Sequence, residues 1–148
     1  MVDLACGDGA VARWLVDRVA TSVLALDLDP DVLDLARATA EQQGGVQRQI
    51  RYEQADLEQA TLPFEAYDLA WAPGVLGTTP DPVRMARMVR AGLRPRGALV
   101  ATVPRAAAGL VATALDLALL DETTTIPLPG DDAPQVLLTS RKPARRRP

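Results

Sequence analysis

Short apolar runs alternate with longer amphipathic stretches along the 148 residues. Val2 to Ala5, Val23 to Leu26, Ile50 to Gln54, Tyr67 to Trp71 and Gly97 to Val103 read as strands. Runs such as Val23-Leu24-Ala25-Leu26 lack polar alternation, which suits a parallel strand covered on both faces. The segments between them carry a helical period. Ala10 to Ala20 places Val11, Leu15 and Val19 beside Ala12 and Val16 on one stripe, with Arg13, Asp17 and Arg18 toward water. Trp14, in the same segment, is expected to pack. Asp29 as cap and Pro30 at the first helical position begin a second helix that runs to about Gln42, where Gly44-Gly45 stops it. Asp81 caps a third, Pro82 to Gly92, with Val83, Ala86 and Val89 inward and Arg84, Arg87 and Arg90 outward. A fourth spans Ala106 to Leu120, weakened at Gly109 by roughly 1 kcal/mol. Thr123 to Leu128 and Gln135 to Arg141 read as two last strands, joined by a loop from Pro129 to Pro134. Lys142 to Pro148 reads as a basic, disordered tail outside a domain of residues 1–141. Strands alternating with helices predict an α/β fold.

The chemistry concentrates in the first thirty residues. Val2-Asp3-Leu4-Ala5 enters the turn Cys6-Gly7-Asp8-Gly9, a helix follows, and the second strand ends on Asp27. Glycine in such a turn lets backbone approach a ligand closely. Asp27 lies eighteen positions after Gly9, close to the roughly 20 expected for an acid that accepts from ribose hydroxyls. Gly7-Asp8-Gly9-Ala10-Val11-Ala12 also satisfies the dinucleotide pattern G-x-G-x-x-G/A. Charge argues against that reading. A pyrophosphate wants helix N-terminal N–H groups without anions nearby, whereas Asp3 precedes this turn and Asp8 lies in it. Two carboxylates suit a ligand with cationic sulfonium and ammonium groups and a ribose.

Asp3-Leu4-Ala5-Cys6-Gly7-Asp8-Gly9 resembles the first motif of class I S-adenosylmethionine-dependent methyltransferases. Leu26-Asp27-Leu28-Asp29-Pro30 resembles the second, Ala55-Asp56-Leu57-Glu58 the third, Tyr67-Asp68-Leu69-Ala70 the fourth strand. Leu93-Arg94-Pro95-Arg96-Gly97-Ala98-Leu99 resembles the turn into the fifth, with Arg96 where glycine is usual. Ala5 also stands where many members have glycine. The resemblance implies a Rossmann-like, doubly wound, mostly parallel seven-stranded sheet with a C-terminal antiparallel hairpin and helices on both faces. It implies S-adenosylmethionine as cofactor. Asp3 with the backbone of Ala5, Cys6, Gly7 and Gly9 would hold the methionine end. Asp27 with Leu28 would take the ribose side, and Asp56 with Leu57 the adenine. Trp71 ends the fourth strand and fits either a wall of the acceptor site or a core aromatic. Cys6 reads as a packing residue, because nothing basic adjoins it. The N-P-P-Y signature of amino-group methylation is replaced by Trp71-Ala72-Pro73-Gly74, which weakens a DNA or glutamine acceptor. A small-molecule acceptor leads.

Met1 stands where the resembled family has more strand and a preceding helix, so a truncated start is expected. The usual covering elements are missing or minimal, leaving room for a second copy or a partner subunit to complete the site. A non-catalytic or partner-dependent binding module is therefore the alternative, with an NAD-dependent oxidoreductase behind it.

Composition narrows this further. Hydrophobic residues make up 48% and charged residues 24%, ordinary for a globular protein. The net charge of −3 gives no surplus for nucleic acid. A single cysteine excludes an internal disulfide and fits a reducing, cytoplasmic setting. The longest apolar run, Ala106 to Leu115, is too short for a bilayer. Histidine is absent, which removes the commonest general base, His-based triads and His metal sites. No catalytic residue is assigned. Displacement at a sulfonium needs alignment more than a base, and positioning can supply roughly 7–11 kcal/mol.

Overall fold

The computed structural model describes residues 1–19, 22–43, 49–129 and 135–144. The expected helix stop at Gly44-Gly45, most of the 129–134 loop, and the Arg145-Arg146-Arg147 run lie outside these residues. The chain divides into two units, Met1–Ala60 and Thr61–Pro148.

The first unit runs β1 (Val2–Leu4), α1 (Ala10–Arg18), β2 (Val23–Asp27), α2 (Pro30–Gln42), β3 (Ile50–Gln54). β2 pairs in parallel with β1 on one side and β3 on the other. Register places Asp3 beside Ala25, and Ala25 beside Tyr52, so these three share one sheet face. Ala12 and Leu15 of α1, and Leu33, Ala36 and Ala40 of α2, join Val23, Ala25, Ile50 and Tyr52 in one core. α2 has the predicted bounds because its start is written in the sequence. The Asp29 carboxylate accepts from the N–H groups of Asp31 and Val32 at 2.9 and 3.5 Å, with Pro30 next.

α1 departs from expectation. It ends at Arg18, so Val19 caps it at 67% exposure instead of extending the stripe. Val11 sits on the flank, and Trp14 is 57% exposed rather than packed. Arg13, expected in water, is half-buried and donates to the Asp8 carbonyl. Ala12 and Leu15, both on the expected stripe, face the core, whereas Val11 and Val19 at its edges do not.

The second unit holds β4 (Tyr67–Pro73), α3 (Pro82–Gly92), β5 (Leu93–Pro104), α4 (Ala108–Leu117), β6 (Asp121–Pro127) and β7 (Gln135–Arg141). β4 and β5 are parallel, while β7 runs antiparallel to both β5 and β6. The C-terminal antiparallel pair is thus the one expected. α3 also has its predicted bounds, with Asp81 accepting from the Arg84 N–H at 2.9 Å. Its buried face is Met85, Ala86, Met88 and Val89; Val83 is only half-buried, and the two methionines were not foreseen.

β5 begins at Leu93, earlier than expected. Its register against β4 slips between Tyr67 and Leu69, and the extra residues form an irregular turn. Arg96 there has φ 68°, the conformation that explains glycine at this position in the resembled motif. At Gly97 a Cβ would lie 2.8 Å from the Arg94 carbonyl oxygen.

The expected helix over Ala106–Leu120 is instead a 3-10 turn, Arg105–Ala107, then the shorter α4. α4 ends in a Schellman arrangement: Leu119 donates to the Asp116 carbonyl, and Leu120 to that of Leu115. The left-handed position is Leu119, φ 61°. No glycine marks the stop, so the sequence pattern overran it. The basic tail is also corrected at its start. Lys142 is 7% exposed. Its Nζ donates to the Leu93 carbonyl at 2.7 Å and to Glu65 at 3.1 Å, and lies 5.2 Å from the Phe64 ring centroid. No helix among the described residues is long and apolar enough to cross a membrane.

Candidate functional site

Most candidate residues lie in the first unit, at the carboxyl ends of β1, β2 and β3. The turn after β1 is held by backbone bonds. The Cys6 N–H donates to Leu26 at 2.9 Å, and the Gly9 N–H returns to Cys6 at 3.0 Å. Ala5, Gly7 and Gly9 all have positive φ, 57°, 55° and 74°. The alternation turns the chain sharply enough to start α1 directly above the strand. Gly9 is required for space as well: a Cβ there would lie 2.6 Å from the Tyr52 hydroxyl.

Asp27 closes β2 and organises the opening. One carboxylate oxygen accepts from the Gly7 N–H at 2.8 Å, the other from the Asp29 N–H at 3.1 Å. Each oxygen keeps a lone pair for a further donor. Leu28, next in the chain, is 63% exposed. Asp8 is exposed and serves its own loop, its Oδ1 accepting from the Ala10 N–H at 3.0 Å.

Asp3 is the opposite case. It is 0% exposed, and neither carboxylate oxygen has a hydrogen-bond partner among the described residues. Burial, then the Asp27 carboxylate, pushes its pKa up from 3.8 to about 7. Tyr52 lies across Ala25 on the same face, with its hydroxyl also buried and unpartnered. Burial raises that phenol too. Burial, with Asp3 and Asp27 adding to it, pushes the Cys6 thiol up to about 12, so it is a packing group and no nucleophile. The turn thus offers acceptors and backbone curvature, with the Arg13 guanidinium on the Asp8 carbonyl and near enough to Tyr52 to offset part of the rise in its phenol.

The family comparison agrees with this arrangement: the methyltransferase domain family matches residues 1–97. The chain belongs to the S-adenosylmethionine-dependent methyltransferases. The ubiquinone biosynthesis O-methyltransferase of Coxiella burnetii is 31% identical over 99 residues, 67% of this chain and 41% of that protein. Its Histophilus somni counterpart is 31% identical over 101 residues, with 67% and 42% covered. The match therefore spans about two fifths of the length of these curated relatives. Among solved structures, an S-adenosylmethionine-dependent methyltransferase from Mesorhizobium loti aligns at TM-score 0.83 with 23% identity, covering 95% of this chain and 90% of that one. The 4+2 cyclase SpnF aligns at TM-score 0.86 with 18% identity, over 97% and 74%. These likenesses show the fold: Rossmann-like, with seven strands, mostly parallel and ending in the antiparallel pair.

Measured against the methyltransferase pattern, Asp3, Ala5, Cys6, Gly7, Gly9, Asp27 and Leu28 fall on one turn and the strand end beside it. Asp56 and Leu57 follow β3 closely, and the Ala55 N–H donates to the Asp27 carbonyl at 2.8 Å. Asp56 is half-buried and engaged: one oxygen accepts from the Glu58 N–H, the other from Gln59 Nε2, both at 2.9 Å. The bland role of a turn acid is therefore present whether or not it also meets a ligand. Trp71, in the second unit, is half-buried on β4, and its indole N–H is enclosed without a partner among the described residues. Sequence reasoning missed Tyr52. The signal was its place at the middle of a five-residue strand, where alternation sends it to the same face as Asp3.

Proposed function

We propose that this chain binds S-adenosylmethionine at the Asp3–Asp27 turn and methylates a small-molecule acceptor. The observation that carries the reading is Asp3, a fully buried carboxylate with no donor on either oxygen among the described residues. A polar group in that state is costly unless something meets it, and a cationic ligand end would. The residues fit the cofactor. Asp27 has lone pairs for ribose hydroxyls and stands at a strand end already fixed by two N–H donors. Gly9 leaves the turn without a Cβ above Tyr52, and Leu28 offers an exposed apolar side chain beside the ribose acid. Asp56 and Leu57 would take the adenine.

When bound, S-adenosylmethionine supplies a sulfonium methyl that an acceptor lone pair can displace. The protein's part is to hold, orient and exclude water, which sequence and structure both allow without a histidine. Asp3 is too enclosed to serve an acceptor as base. An acceptor hydroxyl would therefore lose its proton to water or arrive ionised, which favours an acidic hydroxyl such as a phenol. The curated relatives are named for O-methylation, which supports oxygen as the acceptor atom. A cytoplasmic setting fits the single unpaired cysteine.

A second reading keeps the binding but drops the turnover, because the match covers only about two fifths of the relatives' length and the fold also serves a protein named as a cyclase. In that case a second copy or another subunit completes the site. Calorimetric titration with S-adenosylmethionine, its demethylated product and NAD separates cofactors. Transfer of labelled methyl to a phenol panel then separates enzyme from binding module. NAD binding alone would overturn the proposal.

A further inference from the structure

Asp3 and Asp27 sit at the same end of adjacent strands yet live in different chemical worlds. Asp27 is half-exposed, with two backbone N–H donors. Asp3 is sealed, with none. The groups around Asp3 are the Asp27 carboxylate at the end of β2, Cys6 and Asp8 in the turn, Tyr52 on β3, and Arg13 on α1. Asp27 and Asp8 are acids. The Cys6 thiol titrates far above neutrality, and Arg13 is turned to the Asp8 carbonyl. Among the described residues no hydrogen-bond donor meets either Asp3 oxygen, and burial makes an uncompensated negative charge expensive.

Resting on the cofactor reading above, we propose that Asp3 is a neutral carboxylic acid in the empty site and ionises when the cationic methionine end of S-adenosylmethionine arrives, so that cofactor binding expels one proton to solvent. The O–H bond of Asp3 breaks, the proton leaves to buffer, and the carboxylate remains opposite the ligand's cation. Cofactor affinity is thereby coupled to pH. The empty-site pKa of about 7 puts the coupling in the physiological range. The sign follows from linkage: below that pH the empty site holds a proton that binding must remove, so affinity falls about tenfold per pH unit. Above it Asp3 is already ionised and contributes no further dependence.

The test is calorimetry with S-adenosylmethionine in two buffers of different ionisation enthalpy, at pH 6 and pH 7. At both, the ligand's own α-amino group, ordinarily near 7.7–8.0, is mostly protonated. We expect release of about nine-tenths of a proton at pH 6 and about half at pH 7, the protonated fractions of an acid titrating near 7. Asp3→Asn should bind more weakly and release none. Binding by the native chain with no release at pH 6, or with equal release by Asp3→Asn, overturns this inference and leaves the cofactor reading intact. Absence of binding at every pH overturns the cofactor reading instead, and this inference with it. Should Asp3→Asn fail to fold, the native release profile decides alone: half-release near pH 7 supports the coupling, and a flat profile refutes it.

Discussion

The two units treat their buried charged side chains in opposite ways, although each also holds an unpartnered aromatic polar atom among the described residues, the Tyr52 hydroxyl in the first and the Trp71 indole N–H in the second. Among the described residues three polar side chains are buried: Asp3, Ser140 and Lys142. In the second unit both are satisfied. Ser140 donates to the Asp121 carbonyl at 2.9 Å and meets Thr123 at 3.1 Å, and Lys142 bonds Leu93 and Glu65. In the first unit neither Asp3 oxygen has a hydrogen-bond partner among the described residues. Satisfied groups hold a fold together, as Lys142 holds the chain end to the start of β5. A buried, unpaired acid holds nothing and costs stability, so its place is explained by what binds there.

That contrast can be broken most forcefully at Lys142. Lys142→Ala removes the buried ammonium that Glu65 and the Leu93 carbonyl share, and breaking one side of a buried pair costs roughly 3–5 kcal/mol. Chemical denaturation should show that loss, with cofactor affinity unchanged in the folded fraction. Gly9→Ala should cost about 2–3 kcal/mol, because φ 74° is unfavourable for alanine and its Cβ would meet Tyr52. Here cofactor binding should fall with stability, and Tyr52→Phe should ease the clash in a double variant.

Asp3→Asn should move stability the other way. The folded state raises this acid from 3.8 to about 7, so folding favours the protonated form. Its stability is fully present below pH 4, declines as pH rises, and is lost above pH 7. The whole span is on the order of 4 kcal/mol, of which the amide, itself left unpaired, should recover roughly half. Thermal melts at pH 8 should therefore show Asp3→Asn more stable than the native chain, with the difference vanishing near pH 4. Ala5→Gly is the smallest effect. Relief of the left-handed alanine, φ 57°, should raise stability by about 0.5–1 kcal/mol.

What could be read from the sequence follows the same physics. α2 and α3 have their predicted bounds because Asp29-Pro30 and Asp81-Pro82 are local signals that do their work within one turn. The ligand turn was legible for a similar reason, since three left-handed positions in five residues demand a recognisable string. The end of α4 was not, because Leu119 occupies the place a glycine would have announced. Tyr52 and Lys142 were hidden because their roles depend on strand register and on a partner more than seventy residues away in Glu65. Arg96 and Ala5, the two departures from the family string, both have a left-handed backbone, φ 68° and 57°. The structure explains why glycine is usual at both.

The most direct measurement is S-adenosylmethionine affinity at pH 8 for Asp3→Asn and Lys142→Ala side by side, with melting temperature recorded for each. The account predicts that Asp3→Asn is more stable than the native chain yet binds at least about tenfold more weakly, the loss of roughly one charge-assisted contact. It predicts that Lys142→Ala is less stable yet binds as the native chain does. If Asp3→Asn bound the cofactor as tightly as the native chain, the buried acid would be no part of the ligand site, and the contrast drawn between the two units would be wrong.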